Sequence, residues 1–298
     1  MSSEGVAVTD AALPPPLPAG YPLAPGYEVV EHLNRGAALD VYEVFSTERM
    51  CSCVAKVVRP DRLGVPRVVR RLVNEGEILG SLAHPHLVRL LDLRAGPPPL
   101  VILETLTGPP LDYLVYQRAR RPSAADIAQL GSHLCSAVHY LHGRGYLHLD
   151  IRPGNVIVQW GVAKLVDLSL ARPPGRGSAG VGTADYLAPE QATGGELTAA
   201  TDVWGLGATL YEAAAGIPPF APVDEAEAAI SDGGGYLQLR RGPYPLRRWR
   251  RRLPPEFTAV VEQTLVADPR ARPTVLQLLS VLDELANPTT RTESSWPR

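Results

Sequence analysis

Apolar and polar positions change period several times along the chain, and the changes mark out its elements. Residues 27–33 read as a strand. Residues 51–58 read as another, in which Val54 and Lys56 share a face because side chains two apart point the same way. Over 65–82 the apolar residues recur at helical spacing, with Val69, Leu72, Val73, Gly76 and Leu79 on one side. The apolar runs 87–93 and 100–104 predict two more strands. The chain then turns strongly helical. Ser123 and Asp126 stand three apart as a capping-box-like start, and Ile127, Leu130, Leu134, Val138 and Leu141 form one stripe that Gly143 and Gly145 end. A short strand at 156–159 precedes the apolar run 163–168. A final helix opens on the capping box Thr274–Gln277 and runs to about residue 286.

The 298 residues suit one large or two small domains, and 45% hydrophobic against 20% charged residues allows a buried core. A formal net charge of -2 argues for neither a nucleic acid nor a membrane partner. Cys51, Cys53 and Cys135 are too few for a disulfide framework and point to a reducing compartment. Cys51 and Cys53 face no second Cys or His pair at ligand spacing, and His139, His142 and His148 make a thin metal case. No run of eighteen uncharged apolar residues predicts a transmembrane helix, and Met1–Glu4 lacks the blocks of a signal peptide, so a cytoplasmic location is expected. The richness in Pro, Gly, Ala and Arg matches a GC-rich bacterial genome. Residues 1–26, with Pro14, Pro15, Pro16, Pro18, Pro22 and Pro25, read as a polyproline II or disordered leader, and otherwise as a ligand for a Pro-reading domain. Residues 287–298 read as a loose polar tail.

The richest chemistry lies in His148-Leu149-Asp150-Ile151-Arg152-Pro153-Gly154-Asn155. A carboxylate and a carboxamide five residues apart on one loop can divide two jobs. Asp150 can accept a proton from a hydroxyl, and Asn155 can bind a metal ion through its oxygen. The stretch resembles the catalytic loop of protein kinases, H-R-D-L-K-P-x-N. Further matches follow in order: Cys53-Val54-Ala55-Lys56 at the V-A-I-K position, Asp167-Leu168-Ser169 at D-F-G, and Gly182-Thr183-Ala184-Asp185-Tyr186-Leu187-Ala188-Pro189-Glu190 at G-T-x-x-Y-x-A-P-E. The resemblance covers roughly residues 27–286 and is to bacterial, eukaryotic-like serine/threonine kinases.

That resemblance implies an α+β, two-lobed protein kinase fold. An antiparallel sheet with one helix would occupy 27–106 and a mainly helical lobe 107–286, with Gly108, Pro109 and Pro110 at the crossing. It implies ATP and Mg2+ as bound species and a protein Ser/Thr hydroxyl as acceptor. Lys56 would hold the α- and β-phosphates, paired with Glu75, for which Glu77 competes. Val54 would touch the adenine from its strand, and Val41 would be the apolar roof. Leu103 would be the gatekeeper, and Glu104, Thr105 and Leu106 the hinge. The nucleotide loop would place Asn34, Gly36 and Leu39 at the three glycine positions. Asn155 and Asp167 would hold the metal. Asp150 would be the base, with Thr183 orienting it and Arg152 touching the γ-phosphate. Glu190 would pair with Arg272, and Asp202 would brace the catalytic loop.

The departures from the family pattern are the depleted glycine loop, Leu149 for Arg, Arg152 for Lys and Ser169 for Gly. They leave two readings: an active kinase, or a pseudokinase that binds without significant transfer. Loss of the Arg at 149, with Ser178 the only hydroxyl residue left in the loop 171–181, implies activity without loop phosphorylation. The run Arg247-Arg248-Trp249-Arg250-Arg251-Arg252 reads as a solvated face balancing Asp224 and Glu225, or as a grip for phosphate or an acidic partner.

Overall fold

The computed structural model describes residues 13–117 and 121–287, so the expectations for residues 1–12 and 288–298 lie outside it. The described chain forms two compact units. One takes the residues up to Glu77 together with Leu90–Thr105; the other takes Ile78–Arg89 and the residues from Leu106 on.

The first unit is built on a six-stranded antiparallel sheet in the order β1-β2-β3-β4-β6-β5. Its strands are β1 (Pro22–Ala24), β2 (Tyr27–Arg35), β3 (Leu39–Ser46), β4 (Cys51–Val58), β5 (Leu90–Arg94) and β6 (Leu100–Glu104). One face buries Tyr27, Val29, Tyr42, Val44, Cys53, Ala55, Leu100 and Ile102, and Leu17, Leu23 and Ala24 pack against this cluster. The leader, read as polyproline II or disordered up to residue 26, is therefore held on the sheet from Pro14 on. Its apolar residues complete a core that β2–β6 leave open, and the hydrophobic gain outweighs the freedom of a Pro-rich chain. Register fixes the opposite face: Asn34 pairs with Val41, Val41 with Lys56, and Lys56 with Val101, so these four positions stand in one row. Helix α1 (Pro66–Gly80), most of which belongs to this unit, lies close on the sheet. A Cβ at Gly76 would stand 2.5 Å from a Leu93 methyl and 3.1 Å from a Val101 methyl, so only glycine permits this approach.

The second unit is mainly helical, with α2 (Leu111–Gln117), α3 (Ala124–Gly143), α4 (Pro189–Thr193), α5 (Ala199–Ala215), α6 (Glu225–Asp232), α7 (Leu246–Trp249), α8 (Pro255–Thr264) and α9 (Val275–Ala286). The predicted capping boxes at Ser123–Asp126 and Thr274–Gln277 both form. The stripe Ile127, Leu130, Leu134, Val138 and Leu141 is buried, against a core that includes much of α5. Helix α5 is apolar almost all round and correspondingly buried. Two hairpin-like pairs complete the unit: β7 (Val156–Gln159) with β8 (Val162–Leu165), and β9 (Gly175–Arg176) with β10 (Glu196–Leu197). The strand expected over 87–93 is corrected: it spans Leu90–Arg94. Leu87 instead bridges Leu165 and sits in the core of the second unit, which is a stronger sink for it than a sheet edge. Among the described residues, no helix is long and apolar enough to cross a membrane.

Candidate active site

In the first unit, Lys56 Nζ lies 2.7 Å from Glu75 Oε1. Strand β4 presents the lysine on the Val41 face, and the glycine contact of α1 brings the helix near enough for Glu75 to meet it. Glu75 is fully buried and Glu77 is exposed, so the competition between the two acids is decided by helix rotation. Val54 neighbours Leu103 across β4 and β6, and Glu104 closes β6 opposite Cys53. The expected phosphate loop is a hairpin turn. The Gly36 N–H donates to Leu39 O at 2.8 Å and its carbonyl accepts from Arg59 Nη1 at 2.9 Å. Asn34 is exposed beside the tip. In this arrangement the Gly36 N–H serves the turn.

In the second unit the loop 148–155 is clamped from several sides. Asp202 on α5 is fully buried and accepts from the N–H groups of His148 and Leu149, both at 2.8 Å, and it meets His142 Nε2 at 2.8 Å. Leu149 has φ +66, a left-handed conformation that is costly for a branched apolar residue. Its N–H is held by Asp202, and its carbonyl accepts from Gln191 Nε2 at 2.9 Å, so the surroundings over-determine the strain. The Asp150 N–H donates to His148 Nδ1 at 3.3 Å, which leaves the ring proton on Nε2 to face Val166 O at 3.3 Å.

Both oxygens of the Asp150 carboxylate are oriented. The Thr183 hydroxyl donates to Oδ1 at 2.9 Å, and Asn155 Nδ2 donates to Oδ2 at 2.9 Å and to the Asp150 carbonyl at 2.9 Å. Arg152 Nε stands 3.6 Å from Oδ2. The forked Arg side chain fits because residue 154 is glycine: a Cβ there would collide with Arg152 Nη1 and come 3.0 Å from Asp112 Oδ2. With its amide nitrogen committed to Asp150, Asn155 keeps its oxygen for other partners. The Val166 N–H donates to Asn155 O at 2.9 Å, which brings the following Asp167 beside it. Asp167 also has φ +66, and its Oδ1 accepts from the Ser169 N–H at 3.2 Å. Two oxygen donors, one anionic and one amide, on adjoining backbone suit a hard cation such as Mg2+.

Two further sites tie residues 186–190 to the frame. Glu190 and Arg272 form a bidentate pair at 2.7 and 2.9 Å, matching the expected anchor. Glu212 on α5 accepts from the Tyr116 hydroxyl at 2.5 Å and the Tyr186 hydroxyl at 2.6 Å. Burial holds the Glu212 carboxyl above its usual range, and burial beside that carboxylate pushes both phenols well above theirs. Gln191, Gly154 and Glu212 carried no role in the sequence reading, and His142, weighed there only as a metal ligand, meets Asp202 instead. The one available signal was at Glu212, a single charge inside the apolar run Ala208–Ala215. Of the basic run, Arg250 donates to Pro122 O at 2.5 Å, and Arg248 lies over the rings of Tyr244 and Trp249 at 4.6 and 5.3 Å.

Residues 27–281 match the protein kinase domain family. The chain is 30% identical over 264 residues to the serine/threonine-protein kinase PknB of Mycolicibacterium smegmatis, covering 84% of this chain and 41% of that protein. It is 28% identical over 263 residues to PknB of Mycobacterium tuberculosis, with the same coverage of 84% and 41%. It is 34% identical over 216 residues to the DNA damage-responsive serine/threonine-protein kinase RqkA of Deinococcus radiodurans, covering 69% of this chain and 32% of the relative. The chain thus spans about two fifths of the length of the PknB relatives and about a third of RqkA.

Proposed function

This chain belongs to the protein kinase family, and we propose that it transfers the γ-phosphate of ATP to a serine or threonine hydroxyl of a protein. The observation that carries the reading is the Asp150 carboxylate, aimed by Thr183 and Asn155 and still partly open to solvent. A substrate hydroxyl donates its proton to Asp150 as its oxygen bonds to the γ-phosphorus, and the bond from that phosphorus to the bridging oxygen breaks to release ADP. Arg152, beside Asp150, carries positive charge toward the transferred group. Lys56, fixed by Glu75, engages the α- and β-phosphates. Asn155 and Asp167 would hold Mg2+, which supplies charge neutralisation at the phosphates.

Ligand-linked stability tests the nucleotide part of this reading. Mg-ATP raises Tm, because a ligand that binds only the native state stabilises it. Asp167→Asn removes most of the Mg2+-dependent part of that rise. A Tm shift that is the same in wild type and variant contradicts the metal role of Asp167.

A further inference from the structure

Residues 20–24 run along the β2 edge of the first unit's sheet, Leu17 packs on the face that carries Tyr27 and Tyr42, and the contacts of the segment end at Arg35, beside the expected nucleotide loop. The Gly20 N–H donates to Val29 O at 2.8 Å, and the Val29 N–H donates to Tyr21 O at 2.9 Å. The Leu17 N–H donates to Tyr42 Oη at 3.0 Å, with the Leu17 side chain on the apolar cluster around Tyr42. Pro14 O accepts from Arg35 Nη1 at 2.7 Å. Arg35 is the last residue of β2, one before the turn. Its other two nitrogens form a fork on Asp40, with Nε to Oδ1 at 2.7 Å and Nη2 to Oδ2 at 3.0 Å. Asp40 opposes Arg35 across the hairpin, is 1% exposed, and also meets His32 Nε2 at 3.2 Å.

Arg59 holds the same turn by separate bonds, from its N–H to Ala38 O at 3.0 Å and from Nη1 to Gly36 O at 2.9 Å. A loop with three glycines is mobile when empty and loses that freedom when it closes on a ligand. Here Asn34 and Leu39 stand at two of the glycine positions, and cross-strand side-chain bonds fix the hairpin before any ligand arrives.

We infer that residues 14–24 are a strap that sets the conformation of the nucleotide loop through Arg35, a positioning residue. The inference rests on the ATP-binding reading above. A guanidinium can serve Asp40 and the Pro14 carbonyl together. An ammonium has one nitrogen and cannot span both.

The test uses the full chain with Arg35→Lys, which keeps a cation for the buried Asp40, and Leu17→Asp, which lifts the strap while leaving Arg35, Asp40 and Arg59 in place. Hydrogen exchange of the amides in residues 34–41 is measured without nucleotide, and Mg-ATP affinity is measured by titration. Both variants are expected to exchange faster in this hairpin and to bind Mg-ATP about three- to tenfold more weakly, the scale of one net hydrogen bond. Exchange within α3 and α9 of the second unit should not change. Unchanged exchange in the hairpin overturns the strap. Faster exchange with unchanged or tighter ATP binding overturns its role at the loop while leaving the kinase reading intact. A wild type that binds no Mg-ATP overturns both.

Discussion

Arg152 and Gly154 are coupled through space. Arg occupies a position where the family pattern has Lys, and it fits because residue 154 carries no side chain. Gly154→Ala is therefore expected to push the guanidinium aside and lower kcat about tenfold. Arg152→Lys in the same chain should recover much of that loss, because contacting residues couple by about 0.5–3 kcal/mol. A double variant as slow as the product of the two single losses contradicts the contact. That Asp150 and Asn155 stand together on one loop was legible from residue type and spacing. The partnership of Arg152 with Gly154 was not, because a glycine one place before the Asn reads as an ordinary turn residue. Glu75 and Glu77 were separable only once the helix had a rotation, since both acids sit in the same register of text. Gly36 shows the limit in another way: its place in the motif was visible, but its N–H is used inside the turn by Leu39 O, and its carbonyl is held by Arg59, twenty-three residues away.

Among the elements, the segment from Asp167 to Glu190 is held by packing. Strand β9 pairs with β10, Gly177 lies against Leu197, and Leu197 packs with Leu147 and Leu149, joined by Leu170. Leu149 therefore supplies an apolar anchor where an arginine would need a phosphorylated partner. Ser178→Ala is expected to keep most of the wild-type transfer rate, and a tenfold loss contradicts this anchoring. Leu197→Ala should cost about 2–5 kcal/mol of local or global stability, as large-to-small core changes do. It should also raise protease cleavage within 171–181, whereas an unchanged cleavage pattern would show that the cluster does not hold the segment. The long elements α3, β4 and α9 were readable from periodicity and caps. Elements α2, α6, α7 and α8 were not, because they are short or have mixed polarity, and tertiary contacts decide them. The strap was misjudged for a related reason. Proline density reads as disorder, while Leu17 and Leu23 find partners only on a folded sheet.

Across the whole molecule, three histidines join α3 to β8 and the preceding loop in the second unit. His86 and His133 stack at 4.2 Å, and His84 lies 5.6 Å from His86. The Ala163 N–H donates to His133 Nδ1 at 3.3 Å, and His86 Nδ1 meets Ala163 O at 2.9 Å. Burial, with His86 close by, pushes His133 down to about 4, against a smaller upward pull from Asp283. His84 and His86 are lowered as well, mainly by burial. A histidine whose folded pKa is depressed takes up its proton more readily in the unfolded chain. Its contribution to stability is therefore intact above about pH 6.5 and is lost as the pH falls toward 4, with a slope of at most about 1.4 kcal/mol per pH unit before solvent screening. His133→Asn keeps an acceptor for Ala163, so its Tm should fall less steeply than that of the wild type between pH 7 and 5. Parallel curves would contradict the assignment.

The central claim is that this chain performs chemistry at Asp150, and transfer of labelled γ-phosphate to a generic protein substrate tests it most directly. In the proposed reaction Asp150 takes the proton of the attacking hydroxyl and does not bind the nucleotide, so Asp150→Asn should leave the Mg-ATP Tm shift intact. It should lower transfer by about 10²- to 10³-fold, the typical cost of one preorganised catalytic group. The predicted result is clear transfer by the wild type and none detectable by the variant, with equal nucleotide-induced stabilisation. Equal background counts from both proteins, each still stabilised by Mg-ATP, would contradict the account and leave a pseudokinase.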